Sequence, residues 1–169
     1  MRNSLFSIFN RYPNLVVALS EKKDGPMNFI GEAERDRQVA ENRREFLKRL
    51  GIDIDSLVSC KLVHGNNVKI VNSRESNSII SNTDGLLTKE DNLFLSITVA
   101  DCLPIFIYDS KNGVVGLVHG GWRGLDRNIL ENAIQKLIDN FHSCPKDVIV
   151  GIGPGISKCH FEVKEEVLA

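Results

Sequence analysis

Apolar positions recur along this chain in two rhythms. From about Glu32 to Leu50 the sequence is strongly charged, yet Val39, Phe46, Leu47 and Leu50 fall on one helical stripe, and Gly51 is placed to end the helix. The charges of that stretch read as its solvated face. A second helix is predicted after Gly124, where Ile129, Leu130, Ala133, Ile134, Leu137, Ile138 and Phe141 form a continuous apolar stripe with Asp126 near the N-cap. Elsewhere the rhythm shortens to brief apolar runs separated by Gly, Asn and Asp, which read as strands: Leu57–Val63, Val68–Val71, Gly85–Thr88, Leu93–Val99, Leu103–Tyr108 and Val114–Val118. Leu15–Leu19 and Asp147–Ile152 add one strand before the first helix and one after the second. Strands outnumber crossover helices, so the expected fold is α/β: a mixed-sheet α/β sandwich in a single domain rather than a doubly wound parallel sheet.

The length of 169 residues fits one domain, and no stretch reads as a linker or a repeat. Lys plus Arg number 21 against 22 for Asp plus Glu, leaving a net charge of -1 and no broad field to attract nucleic acid or anionic lipid. The expected partners are small molecules, with neither nucleic acid nor membrane among them, and a homodimer is allowed. Runs such as Leu103–Tyr108 fall far short of the roughly 20 residues that span a bilayer. The segment from Met1 to Pro13 is interrupted by Asn10, Arg11 and Pro13, unlike the apolar core of a secretory signal, so a cytoplasmic location is expected. The four cysteines lie far apart without a C-x-x-C pair, which suits neither a disulfide scaffold nor a zinc knuckle.

Three places share one design, in which an apolar strand meets a turn that presents a metal-competent side chain: Val63-His64-Gly65, Ala100-Asp101-Cys102-Leu103-Pro104, and Val118-His119-Gly120-Gly121-Trp122-Arg123-Gly124. If these converge, two neutral imidazoles and a thiolate would bind a borderline-soft ion such as Zn²⁺ and leave a position open. Taken singly, a Cys on an apolar strand is ordinarily a small core residue, and a His near a strand end is ordinarily hydrogen-bonded. Asp101 either orients a ligand or caps its turn. Arg123 follows two glycines and a bulky aromatic, so the backbone is slim and the guanidinium offers a planar fork for phosphate; Trp122 reads equally as a core anchor. Gly151-Ile152-Gly153-Pro154-Gly155 matches no phosphate-loop pattern and reads as a tight turn. Cys159 and His160 are adjacent on a segment read as extended, which points their side chains apart and leaves them outside the metal site. Cys60, Cys144 and His142 read as structural or surface residues.

The ordered set of motifs resembles the laccase-domain purine nucleoside phosphorylases, YfiH-like proteins long labelled multicopper polyphenol oxidases. The matching segments are Val63-His64-Gly65-Asn66-Asn67-Val68, Thr83-Asp84-Gly85-Leu86-Leu87-Thr88, Ala100 to Pro104, His119 to Gly124, Ile152-Gly153-Pro154-Gly155-Ile156 and Phe161-Glu162-Val163. Asn42-Arg43-Arg44 resembles the family's early helix. The resemblance implies an α/β fold with zinc on His64, Cys102 and His119, phosphorolysis of adenosine, inosine and methylthioadenosine, and deamination of adenosine. The sequence departs from the family at Leu62, where Gln is usual, at Gly120, where Ala is favoured, and at Phe161, where Tyr is frequent. Residues 1–169 are then expected to form a single domain of this kind without the C-terminal segment by which family members continue beyond Glu162-Val163.

In the phosphorolysis implied by the resemblance, Arg123 neutralises phosphate and the metal positions a reacting group. Glu162 and Asp101 are the candidates for moving protons in deamination. Two His and one Cys also mimic a blue-copper ligand set, so a copper-dependent polyphenol oxidase holding Cu²⁺ is an alternative. That site calls for a weak axial Met, only Met1 and Met27 exist, and four histidines cannot furnish the further copper sites of a laccase. A catalytically weak metal-binding domain is the remaining alternative.

Overall fold

The charged stretch after Glu32 folds as helix α1 (Ala33–Arg49), which buries Val39 and Leu47. It stops where Gly51, at φ 72°, can turn left-handed. There the Gly51 N–H donates to the Lys48 carbonyl and the Ile52 N–H to the Leu47 carbonyl, satisfying two carbonyls that the last turn would leave orphaned. The structure, a computed structural model, describes residues 4–29 and 31–162. Val163 of the Phe161-Glu162-Val163 segment lies outside the described residues, as does Met1.

The short apolar runs become strands β1 (Leu57–Lys61), β2 (Val68–Ile70), β3 (Ser78–Ser81), β4 (Gly85–Thr88), β5 (Phe94–Ser96), β6 (Leu103–Asp109), β7 (Val114–Gly120) and β8 (Val148–Ile152). Strand β3 has no counterpart in the sequence reading. Its two isoleucines sit among serines and an asparagine, and parallel pairing with β1 rather than a long apolar run makes it a strand. Conversely, Leu15–Leu19 does not form the expected strand. It pairs with no strand among the described residues, and β-propensity alone does not make a ladder.

Strand β1 lies between β3 and β5, parallel to both, in a three-stranded sheet. The second sheet runs β2-β4-β7-β6-β8, parallel only between β2 and β4. Alternation along β6 and β7 gives this sheet two apolar faces. Ile105, Ile107 and Val118 pack with Ile129, Ala133 and Leu137 of helix α3 (Ile129–Phe141). The opposite face carries Phe106 and Tyr108, which meet Phe6 and Tyr12 edge-on at 4.7 and 4.9 Å. Val58 of the small sheet and Leu86 of the large one share a buried cluster with Val71 and Leu93, joining the two sheets through one core. The expected mixed α/β sandwich is therefore the observed one.

Helix α3 does not begin from Asp126. A short helix α2 (Trp122–Asp126) comes first, ending at Asp126, and α3 starts after Asn128, whose φ of 61° makes the corner. The three glycines around Trp122 do not prevent this short helix, where the sequence reads as a turn. No described helix is long and apolar enough to cross a membrane.

Candidate metal centre

The site is organised by a buried carboxylate. Asp84, just before β4, is fully shielded from solvent, and a charge in that position must be hydrogen-bonded to be tolerated. Its Oδ1 accepts from the His64 N–H at 2.8 Å and its Oδ2 from the Gly65 N–H at 2.9 Å, with the Val63 N–H 3.3 Å from both oxygens. Oδ1 also lies 2.9 Å from Nδ1 of His119. The backbone repeats the tie, since the Asp84 carbonyl accepts from the His119 N–H at 2.7 Å and its own N–H donates to the Asn67 carbonyl at 2.9 Å. One side chain thus fixes the turn that bears His64 and the ring of His119. With Nδ1–H directed at a carboxylate, His119 keeps Nε2 as its free lone pair, the arrangement of a metal-ligating imidazole.

His64 takes φ 57°, a left-handed turn beyond the end of β1. This turn brings its exposed ring to the buried ring of His119, with centroids 4.8 Å apart and planes at 83°. Two glycines make room for the approach. A Cβ on Gly121 would stand 3.1 Å from Cε1 of His119 and 3.1 Å from Cδ2 of His64, and one on Gly124 would stand 2.6 Å from the Gly65 carbonyl oxygen. The slimness of the His119–Gly124 segment therefore serves the convergence of the imidazoles and the seating of α2 on the His64 turn. Asn66 and Asn132 lock that seat, with Asn66 Nδ2 donating to the Arg127 carbonyl at 2.8 Å and Asn132 Nδ2 to the Asn66 carbonyl at 3.1 Å.

Cys102 enters from the neighbouring strand. Pairing of Leu103 with Gly120 and of Pro104 with His119 leaves Cys102 half-buried beside the end of β7. The candidate ligand atoms of His64, Cys102 and His119 all lie within 4.8 Å of one another, in a group with the composition of a metal site. Burial pushes the Cys102 thiol up, and the charges of Asp101 and Asp84 push it further. A cation on the sulfur would reverse that balance by stabilising the thiolate.

Of the other predicted residues, Asp101 and Glu162 are exposed and stand outside this three-residue group. Arg123 is exposed on α2, its guanidinium stacked over the Trp122 ring at 4.3 Å. Cys159 and His160 are not extended but lie in a turn, which brings Sγ and Nδ1 to 3.0 Å; the pair stays outside the cluster. Cys60 is a core residue whose thiol is pushed up to about 12, by burial and then by the Asp84 charge. Cys144 and His142 are exposed. The residue missed by sequence reasoning as a site residue is Asp84. Its signal was an acid placed immediately before an apolar strand, where a surface carboxylate would have no reason to stand.

The family model described as multi-copper polyphenol oxidoreductase laccase matches residues 19–169. The purine nucleoside phosphorylase YlmD of Bacillus subtilis is 32% identical over 142 residues, covering 80% of this chain and 51% of that protein. The crystal structure of the hypothetical protein YfiH from Bacillus licheniformis superposes with a TM-score of 0.76 at 29% identity, over 79% of this chain and 52% of that one. YlmD from Geobacillus stearothermophilus gives 0.75 at 31% identity, over 78% and 51%. The chain spans about half the length of the curated relatives it matches.

Proposed function

Because the chain belongs to the multi-copper polyphenol oxidoreductase laccase family and is similar to proteins named purine nucleoside phosphorylase, we propose that it splits purine nucleosides with phosphate at the His64–Cys102–His119 cluster. The observation that carries this reading is the convergence of two imidazoles and a thiol over one buried carboxylate. The donor set suits Zn²⁺, with Cu²⁺ the other ion such donors accept. Exposed His64 has the freedom to close the remaining gap to ligand bonds of roughly 2.0–2.3 Å. When bound, such an ion supplies a Lewis acid with a position open to substrate. The chain's own groups do the rest. Asp84 holds His119 in one tautomer, Arg123 meets the charge of phosphate, and Asp101 and Glu162 move protons. The substrates are adenosine, inosine and methylthioadenosine, with adenosine also deaminated, in a cytoplasmic setting.

Incubating the protein with adenosine, with and without inorganic phosphate, and separating the products tests the reading. Phosphate-dependent adenine is the expected result, and phosphate-independent inosine identifies the deaminase reaction. Metal-loaded protein that yields neither product refutes both. A second expectation concerns Gly121, whose φ of -73° and ψ of 149° an alanine adopts without strain. The added methyl acts only by wedging between the imidazoles, so Gly121→Ala should weaken metal retention at least tenfold in chelator competition while leaving the melting temperature nearly unchanged.

A further inference from the structure

The face of the five-stranded sheet that carries His119 also borders an open cavity of about 750 Å³, lined by Phe106 and Leu117 of the sheet and by Leu19, Met27 and Phe46. Its volume lies within the roughly 300–1,000 Å³ of small-molecule sites. Arg43, from α1, lines the same cavity, which Glu90 and Asp91 also border. Nη1 donates to the Met27 carbonyl, and Nη2 to the hydroxyls of Ser59 and Ser96, each at 3.4 Å. The two hydroxyls are bonded to each other at 2.8 Å, and the Phe29 ring lies 5.4 Å from the cation.

None of these partners is negative. Two other arginines on the same helix form ion pairs, Arg44 with Glu41 and Arg49 with Asp24. No carboxylate among the described residues forms an ion pair with Arg43. Burial alone lowers the affinity of this guanidinium for its proton. Its three hydrogen bonds are at the long limit for N–H···O contacts and go to neutral acceptors. A partly desolvated cation held this way is costly, and an oxyanion would offset the cost through charge-assisted bonds to a planar fork.

We propose that Arg43 and Ser96, with Ser59 hydrogen-bonded to both, form an oxyanion subsite in the wall of this cavity, built to receive a phosphate group. The rest of the lining is apolar along the sheet and α1 and polar at Glu90, Asp91 and Asn92, so it accommodates an uncharged, hydrogen-bonding part of a small molecule. What the phosphate does there rests on the phosphorolysis reading; that it binds does not. The shared chemistry admits two sources, free phosphate and the phosphate of a nucleotide.

Thermal stabilisation of the full chain separates them, using inorganic phosphate in one titration and adenosine 5′-monophosphate in another, each against sodium chloride at equal ionic strength. Wild type, Arg43→Lys and the double variant Ser59→Ala/Ser96→Ala are compared, the last guarding against a fold defect at Arg43. Saturable protection is expected in wild type, with the apparent Kd raised roughly ten- to hundredfold in Arg43→Lys, the scale of one charge-assisted hydrogen bond, and raised also in the double variant. Protection by inorganic phosphate identifies the free anion; protection by the nucleotide alone identifies the nucleotide. Absence of protection in wild type overturns the subsite, and so does a lower melting temperature with unchanged affinity, which would leave Arg43 as a tie between α1 and the small sheet. Protection without phosphate-dependent adenine release keeps the subsite and refutes phosphorolysis. Adenine release with a wild-type phosphate KM in Arg43→Lys, together with unchanged protection of that variant, does the reverse.

Discussion

Cys102→Ala should leave the protein folded and nearly free of metal, whereas Cys60→Ala and Cys144→Ala should retain about one ion per chain. The thiolate is the one anionic donor of the three, and the softest, so its loss removes both charge and covalency from the site. Loss of an outer-shell partner typically costs 10–100-fold in metal affinity, and loss of a direct ligand should exceed roughly a hundredfold. The two control cysteines stand outside the three-residue group. Cys60 packs among Val58, Val71 and Leu86 with its thiol pushed up to about 12, and Cys144 is exposed just before the turn into β8. Elemental analysis of the variants, purified alike, reads both the amount and the identity of the ion, so it also decides between zinc and copper. Equal metal content in wild type and Cys102→Ala would remove the thiol from the centre.

The candidate ligands were legible in the sequence because each stands where an apolar run meets a turn, and that feature is local. Strands β4, β6 and β7 were legible for the same reason, being long or fully buried apolar runs. Non-local features were not legible. Strand β3 exists through its parallel partner β1, and Leu15–Leu19 lacks such a partner despite its composition. The glycines around Trp122 suggested backbone kept open for a ligand. Gly121 and Gly124 instead pack against His64, His119 and Gly65, and a short helix forms where the sequence reads as a turn. Arg43 read as one more charge on a solvated helix face, because nothing in the chain order announces that Ser59 and Ser96 stand next to each other on paired strands.

Asp84→Asn is expected to damage the candidate metal centre almost as much as loss of a ligand, although Asp84 is itself no member of the His64–Cys102–His119 group. The carboxylate offers two acceptor oxygens to the backbone N–H groups of Val63, His64 and Gly65 and to Nδ1 of His119. An asparagine of the same size replaces one oxygen with an NH₂ that confronts those donors. If Oδ1 becomes the amide nitrogen, His119 loses the acceptor that fixes its tautomer and the His64 turn loses its shortest bond. If Oδ2 does, Gly65 loses its acceptor under α2. Each buried donor left unpaired costs about 1–3 kcal/mol, more where the lost partner was charged, so a fall in stability of roughly 2–5 kcal/mol is expected from denaturant unfolding of the metal-free protein. Metal affinity should fall separately, by about 10–100-fold, as for other partners that orient a ligating imidazole. The two readouts distinguish the roles. A carboxylate that served only to hold the fold would lower the unfolding midpoint while the folded fraction bound metal with wild-type affinity in chelator competition, and that outcome would reduce Asp84 from positioning both histidines to closing a turn.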